Sequence, residues 1–77
     1  MKVKVRLFAS LREEVGIKET EVELDEGATA AGLWRQVVAD KDMPAGVMTA
    51  VNLDYAQPDT ELNDGDEVAF FPPVTGG

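Results

Sequence analysis

The sequence predicts an α+β domain: a mixed β-sheet with one main helix packed across one face. Three observations predict it. Apolar and polar residues alternate along residues 2–8 and again along 19–25, the period of a half-buried strand. One stretch, about residues 30–40, carries an apolar stripe at helical spacing. The last apolar run, residues 67–71, is strand-like and stops at Pro72-Pro73, because proline lacks the N–H a ladder needs. A single long helix covers one sheet face and leaves the other open.

Element by element, "KVKVRLF" points Val3, Val5 and Leu7 inward and Lys2, Lys4, Arg6 and Phe8 outward. Phe8 is the odd member, an aromatic on a charged face. "SLREEVG" reads as a short helix with Ser10 and Glu13 at capping-box spacing and Gly16 as its stop. "ETEVELD" directs Thr20, Val22 and Leu24 inward, and Asp25-Glu26-Gly27 turns the chain. Thr29 is an N-cap for the long helix, whose stripe is Ala30, Leu33, Trp34, Val37 and Val38. Gly32 within it suggests close packing against the sheet. Lys41 to Gly46 reads as a loop, and residues 47–53 as a third strand. "DYAQPDTEL" reads as a crossing segment, with Pro58 opposing a central-strand role. Asp64-Gly65 launches the last strand. First and last strands side by side give the β-grasp arrangement.

Composition removes whole classes of chemistry. The 77 residues form one domain, with no Cys and no His. Disulfides, thiolate metal sites, iron–sulfur clusters and cysteine nucleophiles are excluded together, and with them a β-grasp ferredoxin. The acidic turn at Asp64, Asp66 and Glu67 reads as a solvated turn, with no metal site expected. Asn52, in an apolar strand, reads as a structural hydrogen-bonding residue. No pair of groups suits unaided catalysis, so the chain is expected to be non-catalytic alone. A net charge of −8 disfavours nucleic acid and anionic membrane as partners and suits a basic protein surface. The alternating start is unlike a signal peptide, so a cytoplasmic location is expected.

"FASLREEVG", "AVNLDY" and above all "LNDGDEVAFFPPVTGG" together resemble the small, sulfur-carrier subunit of molybdopterin synthase, a ubiquitin-like β-grasp family. The resemblance spans nearly the whole chain. It implies a β-grasp domain over residues 1–72 and a flexible C-terminal tail over 73–77. It implies that an E1-like adenylyltransferase activates Gly77 with ATP. A sulfur donor protein then converts the acyl-adenylate to a thiocarboxylate. The large synthase subunit, in a heterotetramer, uses that sulfur to build the dithiolene of molybdopterin from a cyclic pyranopterin precursor. The chain itself would bind no cofactor.

The tail suits that chemistry. A carboxylate is a poor electrophile, and a mixed anhydride with AMP supplies a leaving group. The terminus must reach into a partner's active site. Gly76 and Gly77 lack a Cβ and fit a narrow channel. Pro72 and Pro73 stiffen the root of the tail and lower its ordering cost. Val74 and Thr75 offer side chains for the channel mouth. Strand parity adds a docking face. If Val68 and Phe70 point inward, Ala69 and Phe71 point outward, and parallel first and last strands bring Phe71 beside Phe8 at the tail's root. Two other readings share these features: a protein modifier conjugated through Gly77, and the sulfur carrier of the thiamine pathway.

Overall fold

The computed structural model describes residues 1–38, 43 and 46–72. Strand β1 (Lys2–Leu7) leads into helix α1 (Ala9–Val15), strand β2 (Glu19–Glu23) and helix α2 (Ala30–Val37). Strands β3 (Met48–Val51), β4 (Asp54–Ala56) and β5 (Glu67–Phe71) follow. The sheet order is β2-β1-β5-β3-β4. β1 and β5 run parallel at its centre, and every other pairing is antiparallel. This is the predicted β-grasp arrangement.

Alternation along β1 is complete. Val3, Val5 and Leu7 are buried, while Lys2, Lys4 and Arg6 are exposed. β5 answers with Val68 and Phe70 buried and Ala69 and Phe71 half-buried. Central position explains its apolar composition, since both edges are paired. β2 lies at one edge, so Thr20 and Val22 are only half-buried, whereas Leu24 just beyond it is buried. Helix α2 lays Ala30, Leu33 and Trp34 on the sheet, with Val37 and Val38 partly covered. Trp34 meets Phe70 edge-on, with ring centroids 5.1 Å apart and planes at 83°. That geometry aligns the positive edge of one ring with the negative face of the other. Leu7, Leu11, Leu24 and Leu62 complete the core.

The Thr29 N-cap forms as expected: its Oγ1 accepts the Gly32 N–H at 3.2 Å. Two further free donors of the first turn are met by the segment between β4 and β5. Ala30 N–H donates to Thr60 O and Ala31 N–H to Pro58 O, at 3.1 and 2.8 Å. The segment read as a crossing therefore also caps α2.

Four expectations need correction. Ser10 is not the cap of α1. The helix begins at Ala9, its N-cap position is Phe8, and no side chain caps it. Only Phe8 separates β1 from α1, and Ala9 makes that sharp reversal with φ 52. Gly16, by contrast, ends the helix at φ 80 as expected. Gly32 does not mark close packing on the sheet, because a Cβ there would meet only Thr29 Oγ1 at an ordinary 3.6 Å. Helix α2 ends at Val37, and residues 39 and 40 lie outside the described residues. So do 41, 42, 44 and 45 of the expected loop. Finally, the third strand stops at Val51. Asn52 and Leu53, at φ 51 and 73, form a two-residue turn into β4. The sheet thus gains a fifth strand where a crossing segment was expected.

Candidate docking face

The open face of the sheet divides into a charged half and an apolar half. Register sets Lys2, Lys4 and Arg6 of β1 opposite Glu23, Glu21 and Glu19 of β2. Lys4 Nζ lies 3.5 Å from Glu19 Oε1, and Arg6 Nε lies 3.9 Å from Glu19 Oε2. Arg6 Nη1 is also 3.6 Å from Glu67 Oε1 on β5. These pairs are exposed and screened, so they add little stability, but they neutralise one another across the face.

The apolar half begins where β1 ends. Phe8 N–H donates to Phe70 O at 3.2 Å, which continues the parallel ladder by one residue. Phe8 and Phe71 then stack, with centroids 4.7 Å apart and planes at 10°. Strand parity anticipates this pair, and each ring is half-buried because the other covers it. Ala50 and Ala69, paired in register, form a low floor beside the rings. Tyr55 rises from β4 opposite Ala50 and is 78% exposed; Leu53 at the turn is 93% exposed. These residues, with Arg6 and Glu67 at one end, line a shallow hollow. Met48 sits in register with Phe71 and is also exposed.

The hairpin tip that carries Leu53 is firmly tied. Asn52 Nδ2 donates to Asp66 Oδ1 at 2.9 Å, and Asn52 Oδ1 accepts the Glu67 N–H at 3.0 Å. The Asn52 N–H donates to Glu67 O at 2.8 Å. Asp66, only 8% exposed, also accepts the Asn63 N–H at 2.7 Å through Oδ2. Its buried carboxylate is therefore satisfied by two charge-assisted bonds. Asn52 is structural, as its place in the sequence suggests. Asp64 has a structural task too, since its Oδ1 accepts the Lys2 N–H at 2.7 Å. Among the described residues no three acidic side chains converge as metal ligands.

Of the site residues expected from sequence, Phe8 and Phe71 are brought into contact, and Pro72 follows half-buried. Pro73, Val74, Thr75, Gly76 and Gly77 lie outside the described residues. Sequence reading missed Leu53, Tyr55 and Met48. The signal that could have found them is a turn of two residues at Asn52-Leu53. It puts Tyr55 on the same face as Ala50.

Comparison with known proteins places the sequence and the fold. A molybdopterin synthase sulfur carrier subunit of Escherichia coli is 44% identical, over 97% of this chain and 99% of the relative. The small archaeal modifier protein 3 of Haloferax volcanii is 34% identical, over the full length of both. A solved structure from Pyrococcus furiosus, assigned as subunit 1 of a molybdopterin converting factor, superposes with a TM-score of 0.79. It is 40% identical and is covered to 99%, against 96% of this chain. The ThiS family model spans residues 5–77, nearly all of a sequence whose sheet and helix are those of a ubiquitin-like β-grasp domain, and the chain belongs to that family.

Proposed function

We propose that the protein is the sulfur-carrier subunit of a molybdopterin synthase and works through the carboxyl group of Gly77. The observation that carries this reading is the 44% identity, end to end, with a curated carrier subunit. The stacked Phe8–Phe71 pair supports it, because it sets an apolar docking face at the last residues before Pro72-Pro73.

In this reading an E1-like partner joins Gly77 to AMP from ATP, releasing pyrophosphate. A persulfide on a donor protein attacks the acyl carbon and displaces AMP, and a cysteine thiol of a partner protein then cleaves the acyl disulfide, ending as a disulfide with the donor's sulfur and freeing Gly77 as a thiocarboxylate. The charged carrier docks on the large synthase subunit, which moves the sulfur to the pyranopterin precursor. Two transfers complete the dithiolene. The domain supplies the grip and the tail supplies the reacting group, so the chain needs no general base of its own. The work is cytoplasmic, and the only nucleotide in it belongs to the activating partner.

A second reading, a modifier joined to lysines through Gly77, is favoured by the 34% identity with the archaeal modifier. Intact-mass analysis of the protein from its own cells separates the two. The expected species has one terminal oxygen replaced by sulfur. Recovery of Gly77 only as isopeptide on other proteins would overturn the carrier reading.

The docking face has its own test. Phe71→Ala is expected to weaken binding to the large subunit by about 2 kcal/mol, as aromatic anchors do. Losing its stack on Phe8 should cost the fold only about 1 kcal/mol. Calorimetry and thermal unfolding on the same variant check both. Full affinity with a badly destabilised domain would make Phe71 a core residue instead.

A further inference from the structure

Leu53 combines two features that its own fold does not use. It is 93% exposed, and its backbone lies in the left-handed region at φ 73. In a two-residue hairpin turn with positive φ at both positions, the second is the natural place for glycine. A side chain there pushes Cβ toward the carbonyl oxygen, a cost that only Gly escapes and Asn or Asp partly offset. A branched apolar residue at this position pays conformationally and recovers nothing by burial. Asn52, the other turn residue, does obey the turn's chemistry: it tolerates φ 51, and its amide ties it to Asp66 and Glu67. The hairpin tip is therefore held in place while presenting a misfit to solvent. Strain of this kind, kept at an exposed point, is a mark of a contact surface.

Leu53 is also not isolated. It shares one hollow with Tyr55, Phe71 and Phe8, over the floor of Ala50 and Ala69. The apolar surface thus runs without a break from the stacked rings to the tip of the β3–β4 turn. Charge frames it. Asp54 follows Leu53 and is exposed, and Glu67, hydrogen-bonded to Asn52 at the root of the same turn, lines the hollow on Leu53's side. The chain as a whole carries −8, which repels a second copy of itself.

We infer that Leu53 is a specificity anchor: it inserts into an apolar socket, rimmed by Lys or Arg, on the protein that docks against Phe8 and Phe71. The inference rests on the carrier reading, since that partner is the large synthase subunit. Phe8 and Phe71 provide the grip at the tail's root, and Leu53 tests a second point at the far end of the same face. Two separated anchors fix rotation on the partner, which a single aromatic pair does not, and so aim the tail.

The test uses the full-length chain and the large synthase subunit of the same organism. Leu53→Gly gives the turn its preferred glycine, and Leu53→Asn gives a side chain tolerant of positive φ. Both variants should melt higher, by roughly 3 °C. Both should bind the large subunit about tenfold more weakly. The opposite signs are the signature, because a residue with a merely structural role would lower stability when replaced. Unchanged affinity in the two variants overturns the inference and leaves the carrier reading intact. A lowered melting temperature with weakened binding overturns it too, by making Leu53 part of the fold. Failure of the unaltered chain to bind overturns both readings. Self-association of the unaltered chain in sedimentation, lost in Leu53→Gly, would assign the socket to a second copy and overturn the partner named here.

Discussion

Deletion of Gly77 is expected to abolish sulfur transfer and leave the domain folded. The reason is reach. One residue of extended chain spans about 3.5 Å. Removing it leaves a carboxylate on Gly76, of the same chemical kind but drawn back from the reacting centre. Misplacement by about 1 Å already costs on the order of a hundredfold in rate. In the proposed mechanism, a shift several times larger would take the carboxyl carbon out of line with both the nucleotide and the persulfide. Gly76→Trp should fail for a different reason, because a large side chain cannot follow a channel shaped for bare backbone. Among the described residues the last ladder position is Phe71, well before either residue, so stability should change by less than about 0.5 kcal/mol. Thiocarboxylate formation read by mass, and unfolding read by circular dichroism, check the two halves. Normal molybdopterin formation by the Gly77 deletion would remove the carboxyl group from the mechanism.

Phe70→Ala should produce the largest loss of stability. Phe70 is fully buried, lies on the central strand and meets Trp34 edge-on. Truncating a buried phenylalanine costs about 3–5 kcal/mol, from lost transfer energy and from the cavity left behind. A domain of this size holds roughly 4–12 kcal/mol in all. The variant should therefore be largely unfolded near body temperature, with a denaturation midpoint well below that of the unaltered chain. Phe71, the next residue, should respond in the opposite manner, through affinity and not stability. Comparable destabilisation by Phe70→Ala and Phe71→Ala would contradict the inward and outward assignment of the strand.

Much of this architecture is legible in the sequence because period-2 patterning survives wherever one sheet face is buried. Lys2 to Leu7 and Glu67 to Phe71 alternate cleanly, and their parity alone brings Phe8 beside Phe71. Trp34 declares itself by its place on a helical stripe. β4 is harder to see. It is three residues long and lies at an edge, its turn uses Asn52-Leu53 in place of the favoured Asn-Gly, and Pro58 follows closely. With β4 hidden, the exposure of Leu53 and Tyr55 is hidden too, since only the hairpin puts them on the docking face. Ser10 misleads for a related reason. Capping-box spacing is a local signal, and the single residue between β1 and α1 leaves Ser10 inside the helix. The same reading of spacing succeeds at Thr29, where a loop precedes the helix.

The placement of β5 between β1 and β3 bears on how the protein is made. Without β5 the sheet falls into two separate hairpins, β1 with β2 and β3 with β4. Neither is large enough to persist alone. The contact that joins them links the two ends of the sequence, so the nascent chain stays open until nearly all of it has been translated. A message cut short before β5 is expected to yield an unfolded product, open to proteolysis and lacking a docking face. Cells are thus protected from most incomplete copies. The exception, on the carrier reading, is a copy ending between Phe71 and Gly77: it would fold, dock and deliver nothing, and so act as an inhibitor of its own assembly line.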